Sequence, residues 1–157
     1  MTGVLLWVED DQNDILLVGR AMEKVGIDAP TLVRDGQEAI DYLSGQGEFA
    51  DRVRHPLPSL ILLDLKLPRR SGLEVLQWLR AQPELRRIPV IIFTSSKETS
   101  DINRAYESGT NAYLVKPVDM KDLLEVLRKM SGFWLGANRF PTVYLAPGTA
   151  APTHPAA

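Results

Sequence analysis

Apolar residues in this chain come in short unbroken runs, and between the runs they recur every three or four positions. Residues 4–8 are the first run, cut off by Glu9, Asp10 and Asp11. A run this short, without alternation, predicts a strand buried on both faces, as in a parallel sheet. From Asp11 onward Ile15, Val18, Met22 and Val25 recur at helical spacing, and Gly26 supplies a stop. Residues 31–34 read as a second strand, and Pro30 at its entry suits a sheet edge. Gly36, Ala39, Ile40 and Leu43 then predict a helix ending at Ser44 and Gly45, and the polar stretch 46–58, with Gly47, Pro56 and Pro58, reads as a surface loop.

The third run, residues 60–63, ends abruptly in Asp64. Ser71 and Glu74 have capping-box spacing ahead of a helix carried by Leu73, Leu76 and Leu79 and closed by Pro83. Residues 88–93 form a fourth strand running into Thr94, Ser95 and Ser96, followed by a helix through Ile102, Ala105 and Tyr106 that stops at Gly109. Residues 112–115 are the fifth strand and stop at Lys116 and Pro117, after which Asp119 can cap a last helix striped by Met120, Leu123, Leu124 and Leu127. Five strands alternating with five amphipathic helices predict an α/β fold, a doubly wound parallel sheet with right-handed crossovers.

Composition narrows the picture. The 157 residues, 45% hydrophobic and 24% charged, supply one core and too little material for two ordinary domains. The lack of cysteine excludes disulfides, thiolate metal sites and thiol catalysis, and fits a cytoplasmic setting. No apolar run approaches the roughly 20 residues of a membrane span. The net charge of −2 provides no basic field for nucleic acid, so direct nucleic-acid binding is not expected.

In a parallel sheet the residues just past each strand gather at one edge, where such folds bind ligands. Here they are Glu9, Asp10, Asp64, Thr94 and Lys116. Three crowded carboxylates call for protonation or a cation, and a hard divalent ion, Mg2+, suits oxygen ligands and substrate phosphate alike. The backbone carbonyl of Lys66 is available to complete such a shell. A carboxylate beside magnesium, an ammonium and a hydroxyl is equipped to receive a phosphoryl group, with Asp64 as nucleophile, Lys116 as a point charge on a phosphoryl oxygen and Thr94 as hydrogen-bond donor. Asp64 as a turn or helix cap, and Lys116 as an ordinary ion-pair partner of Asp64 or Asp10, are the simpler alternatives.

The segments 8–11, 62–68 through Gly72, 94–95, and 108–109 through 112–117 together resemble the receiver domain of two-component response regulators. The resemblance covers about Gly3 to Met130. It implies the flavodoxin-like receiver fold with strand order 2-1-3-4-5, and phosphorylation of Asp64 by a partner sensor histidine kinase. It also implies direct metal ligation by Asp10, ligation by Glu9 through water, joint movement of Thr94 and Tyr113 on phosphorylation, and a bond after Lys116 that often precedes a cis proline. The protein is then a phosphoryl acceptor able to assist its own phosphorylation and dephosphorylation, and not a turnover enzyme.

Residues 1–130 are expected to form the receiver, 131–145 an apolar arm, and 146–157 a disordered tail rich in Pro, Ala, Gly and Thr. Val126, Met130, Phe133 and Trp134 make a second apolar stripe beyond the core stripe, and Phe140 and Tyr144 follow in the arm. The expected use of these six is a homodimer, the alternative being an arm folded onto its own domain. The Phe-Trp-Leu ending of the last helix resembles small regulators coupled to bacterial phytochromes, which would make a bacteriophytochrome the kinase. Two further functions fit the same residues: a receiver-like docking scaffold that is never phosphorylated, and a magnesium-dependent phosphatase with an aspartyl nucleophile. The second is disfavoured because such enzymes usually carry another acid two residues after the nucleophile, where this chain has Lys66.

Overall fold

The structure is a computed structural model that describes residues 3–143. Its strands are β1 (Leu5–Val8), β2 (Thr31–Val33), β3 (Leu60–Leu63), β4 (Val90–Thr94) and β5 (Ala112–Val115). They form one sheet in the order β2-β1-β3-β4-β5, parallel at every pairing. The expected order and orientation are therefore those observed, with β2 at an edge.

The helices are α1 (Gln12–Val25), α2 (Gly36–Ser44), α3 (Gly72–Ala81), α4 (Thr99–Glu107) and α5 (Met120–Met130). Four of the five are capped by a polar side chain: Asp11, Asp35, Ser71 and Asp119 cap α1, α2, α3 and α5 by accepting a backbone N–H from three residues on, and α4 has no side-chain cap. Ser71 and Glu74 form the full reciprocal box. Gly26 and Gly45 close α1 and α2 in the left-handed conformation that glycine tolerates without a Cβ penalty.

Period-two alternation splits each strand between two cores. Leu6 and Val8 of β1 and Ile61 and Leu63 of β3 pack with α2 and α3 residues such as Ile40, Leu43, Leu76 and Leu79. Leu5, Trp7, Leu60 and Leu62 face the other way, onto Val18 and Met22 of α1 and Leu123 and Leu127 of α5. β1, β3 and β4 are buried along their whole length, which explains their lack of polar alternation.

Three local features differ from expectation. β4 begins at Val90, because Ile88 and Pro89 precede the pairing of β4 with β3. The stretch 46–58 is not uniformly at the surface: Phe49, in the 3-10 turn Gly47–Phe49, is 8% exposed and packs its ring 5.1 Å from that of Tyr42 and 5.3 Å from that of His55. Beyond α5 the chain continues as a π-helical segment, Ser131–Ala137.

Candidate functional site

Backbone pairing carries the site residues to one edge. Glu9 N–H donates to the Val33 carbonyl at 3.1 Å, Asp64 N–H to the Val8 carbonyl at 3.2 Å, and Lys116 N–H to the Thr94 carbonyl at 2.7 Å. Together with the pairing of Leu63 and Ile92 between β3 and β4, these bonds bring the ends of all five strands to one edge, so Glu9, Asp64, Thr94 and Lys116 gather there although up to 107 positions separate them in the chain.

At the centre lies the Lys116 ammonium, whose side chain is 8% exposed. It donates to Asp64 Oδ2 at 2.7 Å and to Asp14 Oδ2 at 2.9 Å, and makes a third bond to Glu9 Oε1. Glu9 is fully buried, and its other oxygen accepts the backbone N–H groups of Asp10 at 3.1 Å and Asp11 at 3.3 Å. Asp64 is 8% exposed and its Oδ1 accepts the Lys66 N–H at 3.3 Å. Lys66 points outward as an exposed residue, which leaves only its backbone turned to the site chemistry.

Burial pushes the Glu9 carboxyl up to about 7; the Lys116 hydrogen bond opposes the shift and the nearby Asp64 charge adds to it. Burial alone would lower the Lys116 ammonium, but the hydrogen bonds to Asp14, Asp64 and Glu9 outweigh it, and the net direction is upward. Lys116 therefore stays charged through the physiological range and serves as a permanent cation at the strand edge.

Thr94 is fully buried and its hydroxyl has no hydrogen-bond partner. An orphaned donor of this kind costs free energy unless it has a function or an added ligand. Tyr113 is half-buried, and its hydroxyl donates to the Ser96 carbonyl at 3.0 Å. Burial raises its phenol, with the Ser96 contact opposing. The Ser96 hydroxyl in turn bonds Asp101 at 2.5 Å, tying the loop after β4 to the first turn of α4. The expected Thr94 and Tyr113 thus flank one loop. No cis peptide bond occurs among the described residues, so the bond between Lys116 and Pro117 is trans.

Carboxylate oxygens of Glu9, Asp14 and Asp64 lie within 4.8 Å of one another. All are hard oxygen donors, the chemistry that suits Mg2+. Asp10, expected as a direct ligand, is exposed and stands outside that trio. Asp14 was not anticipated. Its one available signal was position: four residues after Asp10 and three after the α1 cap, the first turn of α1 brings it back over the strand edge.

The residues expected at a dimer interface separate in space. Met130 is 3% exposed and belongs to its own domain's core, because its place on α5 continues the stripe of Leu123 and Leu127. Val126, Trp134 and Phe140 are partly buried against that same core, whereas Phe133 is 55% exposed. Tyr144 and the stretch 146–157 lie outside the described residues.

The model of the response regulator receiver domain matches residues 5–128. This chain belongs to that family, the receivers of two-component signalling. It is 39% identical over 139 residues to Response regulator Rcp1 of Synechocystis sp., across 88% of this chain and 92% of that protein. It is 38% identical to the Probable methanogenesis regulatory protein FilR2 of Methanothrix harundinacea, across 88% and 87%. Among solved structures, the phosphorylated cyanobacterial phytochrome response regulator RcpA superposes with a TM-score of 0.80 at 33% identity, across 90% of this chain and 100% of that one. The Mn(2+)-bound form of Rcp1 does so at 0.78 and 38%, across 89% and 99%. Receivers are generally signalling proteins and not turnover enzymes, which weighs against the phosphatase alternative. No helix among the described residues is long and apolar enough to cross a membrane.

Proposed function

We propose that Asp64 is the phosphoacceptor of this response regulator, loaded by a sensor histidine kinase. The observation that carries the reading is Lys116 Nζ at 2.7 Å from Asp64 Oδ2, with a buried Thr94 hydroxyl that has nothing to bond at the end of the strand Lys116 pairs to. An Asp64 carboxylate oxygen attacks phosphorus, the phosphorus–nitrogen bond of the phosphohistidine breaks, and the kinase imidazole leaves with the electron pair and takes up a proton. Lys116 then pairs with a phosphoryl oxygen, and Thr94 donates to another.

Glu9, Asp64 and the more exposed Asp10 would hold Mg2+, with the backbone carbonyl of Lys66 as a further oxygen donor. When bound, the ion neutralises charge on the transferring oxygens. The Mn(2+)-bound relative supports a divalent ion at this edge, as do the clustered carboxylate oxygens of Glu9 and Asp64. Receiver and arm divide near Met130, the boundary at which α5 passes into the π-helical segment.

Phosphorylation adds a charge of about −1.5 to −2. Drawing Thr94 toward that charge moves the loop that Tyr113 holds through Ser96, so the output surface lies around β5 and α4. We assign the kinase to the phytochrome class on the strength of the relatives, and assign a second copy of this chain to the exposed Phe133 surface, whose ring packs edge-on to Trp134 at 5.2 Å. The setting is the cytoplasm.

The test is labelling with a small acyl phosphate. The wild type should form a hydroxylamine-sensitive adduct that requires magnesium, and Asp64→Asn should form none while keeping its thermal midpoint. Equal labelling of Asp64→Asn removes Asp64 from the role.

A further inference from the structure

Asp14 has no part in the reading above, yet it makes a direct ion pair with the site's central cation. Its backbone N–H is held by the Asp11 cap at 2.9 Å, which fixes the first turn of α1 over the strand edge. Its Oδ2 is 2.9 Å from Lys116 Nζ, and it comes from the first turn of a helix, whereas Glu9 and Asp64 come from strand ends. The Asp14 side chain is also the most exposed of the three, at 36% against 0% for the Glu9 side chain and 10% for that of Asp64.

A divalent ion and an ammonium compete for the same carboxylate oxygens, because each is stabilised by close contact with them and each repels the other. In this structure the ammonium bonds both Glu9 and Asp64, the oxygens a metal would need. A receiver of this composition therefore requires somewhere for Lys116 to stay when Glu9 and Asp64 turn to the metal. Asp14 supplies it.

We infer that Asp14 is a positioning residue for Lys116: it retains the ammonium on the α1 side of the site, freeing Glu9 and Asp64 for a divalent cation while keeping Nζ within reach of the phosphoryl group. The inference rests on the phosphoacceptor reading, since it presumes that a metal and a phosphoryl group enter this edge. It predicts that loss of Asp14 lets Lys116 collapse onto Glu9 and Asp64 and so weakens metal binding through Lys116, not through lost metal ligation.

The experiment is a double-mutant cycle on Mg2+ affinity of the full chain, measured by calorimetry. Asp14→Asn should weaken Mg2+ binding roughly threefold or more in the wild-type background, the scale of a partly exposed charge coupling. Asp14→Glu should restore most of the loss. In a Lys116→Met background, Asp14→Asn should change the affinity little. An equal loss in both backgrounds would make Asp14 a metal ligand or a bulk charge effect and overturn the inference, as would no loss in the wild type. Failure of the underlying reading is separately visible: the wild type and Asp64→Asn would then bind Mg2+ alike.

Discussion

Lys116 Nζ lies 2.7 Å from Asp64 Oδ2, across 52 residues of sequence and one intervening strand. Each residue follows the last position of its own strand, so the contact is a product of sheet topology and needs no special loop. Because the same ammonium also bonds Glu9 and Asp14, removing it uncovers several carboxylates at once. Lys116→Met should cost about 3 kcal/mol of stability without metal, the usual scale for stripping a buried charge of its partner. It should also tighten Mg2+ binding, because a competing cation is gone. Denaturant unfolding in chelator and Mg2+ calorimetry check the two effects.

Thr94 offers the opposite case. Its buried hydroxyl has no partner, so replacing it removes an unsatisfied group. Thr94→Val should leave the unphosphorylated protein as stable as before or more stable by up to about 1 kcal/mol. The same variant should lose the phosphorylation-linked change at Tyr113, read from tyrosine emission or ring NMR signals. A destabilised Thr94→Val whose Tyr113 signal still responds would contradict both halves.

Gly72 protects the geometry of Asp64. A Cβ placed there would come 2.1 Å from the Asp64 carbonyl oxygen and 2.8 Å from Leu65 Cα, both backbone atoms that cannot swing aside. Gly72→Ala should therefore cost about 1–3 kcal/mol and slow phosphorylation by displacing the loop after β3. Thermal unfolding and initial labelling rates measure the pair.

The raised Glu9 carboxyl gives a pH dependence with a definite sign. Its ordinary value is 4.5 and burial brings it to about 7, so between these limits the folded protein binds more protons than the unfolded chain. Glu9's contribution is fully present below about 4.5 and is lost as pH rises through about 7. In chelator, stability should fall across that window, and Glu9→Gln should flatten the fall. Unfolding midpoints between those pH values decide it.

How far the sequence foretold the site depends on where each residue stands. Asp64, Lys116 and Glu9 were legible because parallel strands must end together, and the apolar runs mark those ends without ambiguity. Asp14 was not, since an acid in the first turn of a helix has an ordinary reading as a partner of the helix dipole. Its role depends on the angle at which α1 leaves β1, which periodicity does not encode. The bond between Tyr113 and Ser96 was equally hidden, because it uses the Ser96 backbone carbonyl and a carbonyl carries no sequence signature. In the arm, helical spacing placed Met130 and Phe133 on one stripe, but the domain's own core takes Met130 and leaves Phe133 exposed. Periodicity reports a face and is silent about which neighbour covers it.

That division makes Phe133 the informative arm residue. Phe133→Ser should shift stability by no more than about 0.5 kcal/mol, as expected of a surface change, and should lower the dimer fraction in sedimentation. An unchanged dimer would take Phe133 out of the interface.

The most direct measurement locates the phosphoryl group chemically. Phosphorylated protein is reduced with borohydride, which converts an aspartyl phosphate to homoserine, and the peptides are sequenced by tandem mass spectrometry. The conversion is predicted at Asp64 alone, after labelling by acyl phosphate and by a cognate kinase alike. Conversion at Asp10, Asp14 or any other carboxylate, with Asp64 unchanged, would contradict the assignment.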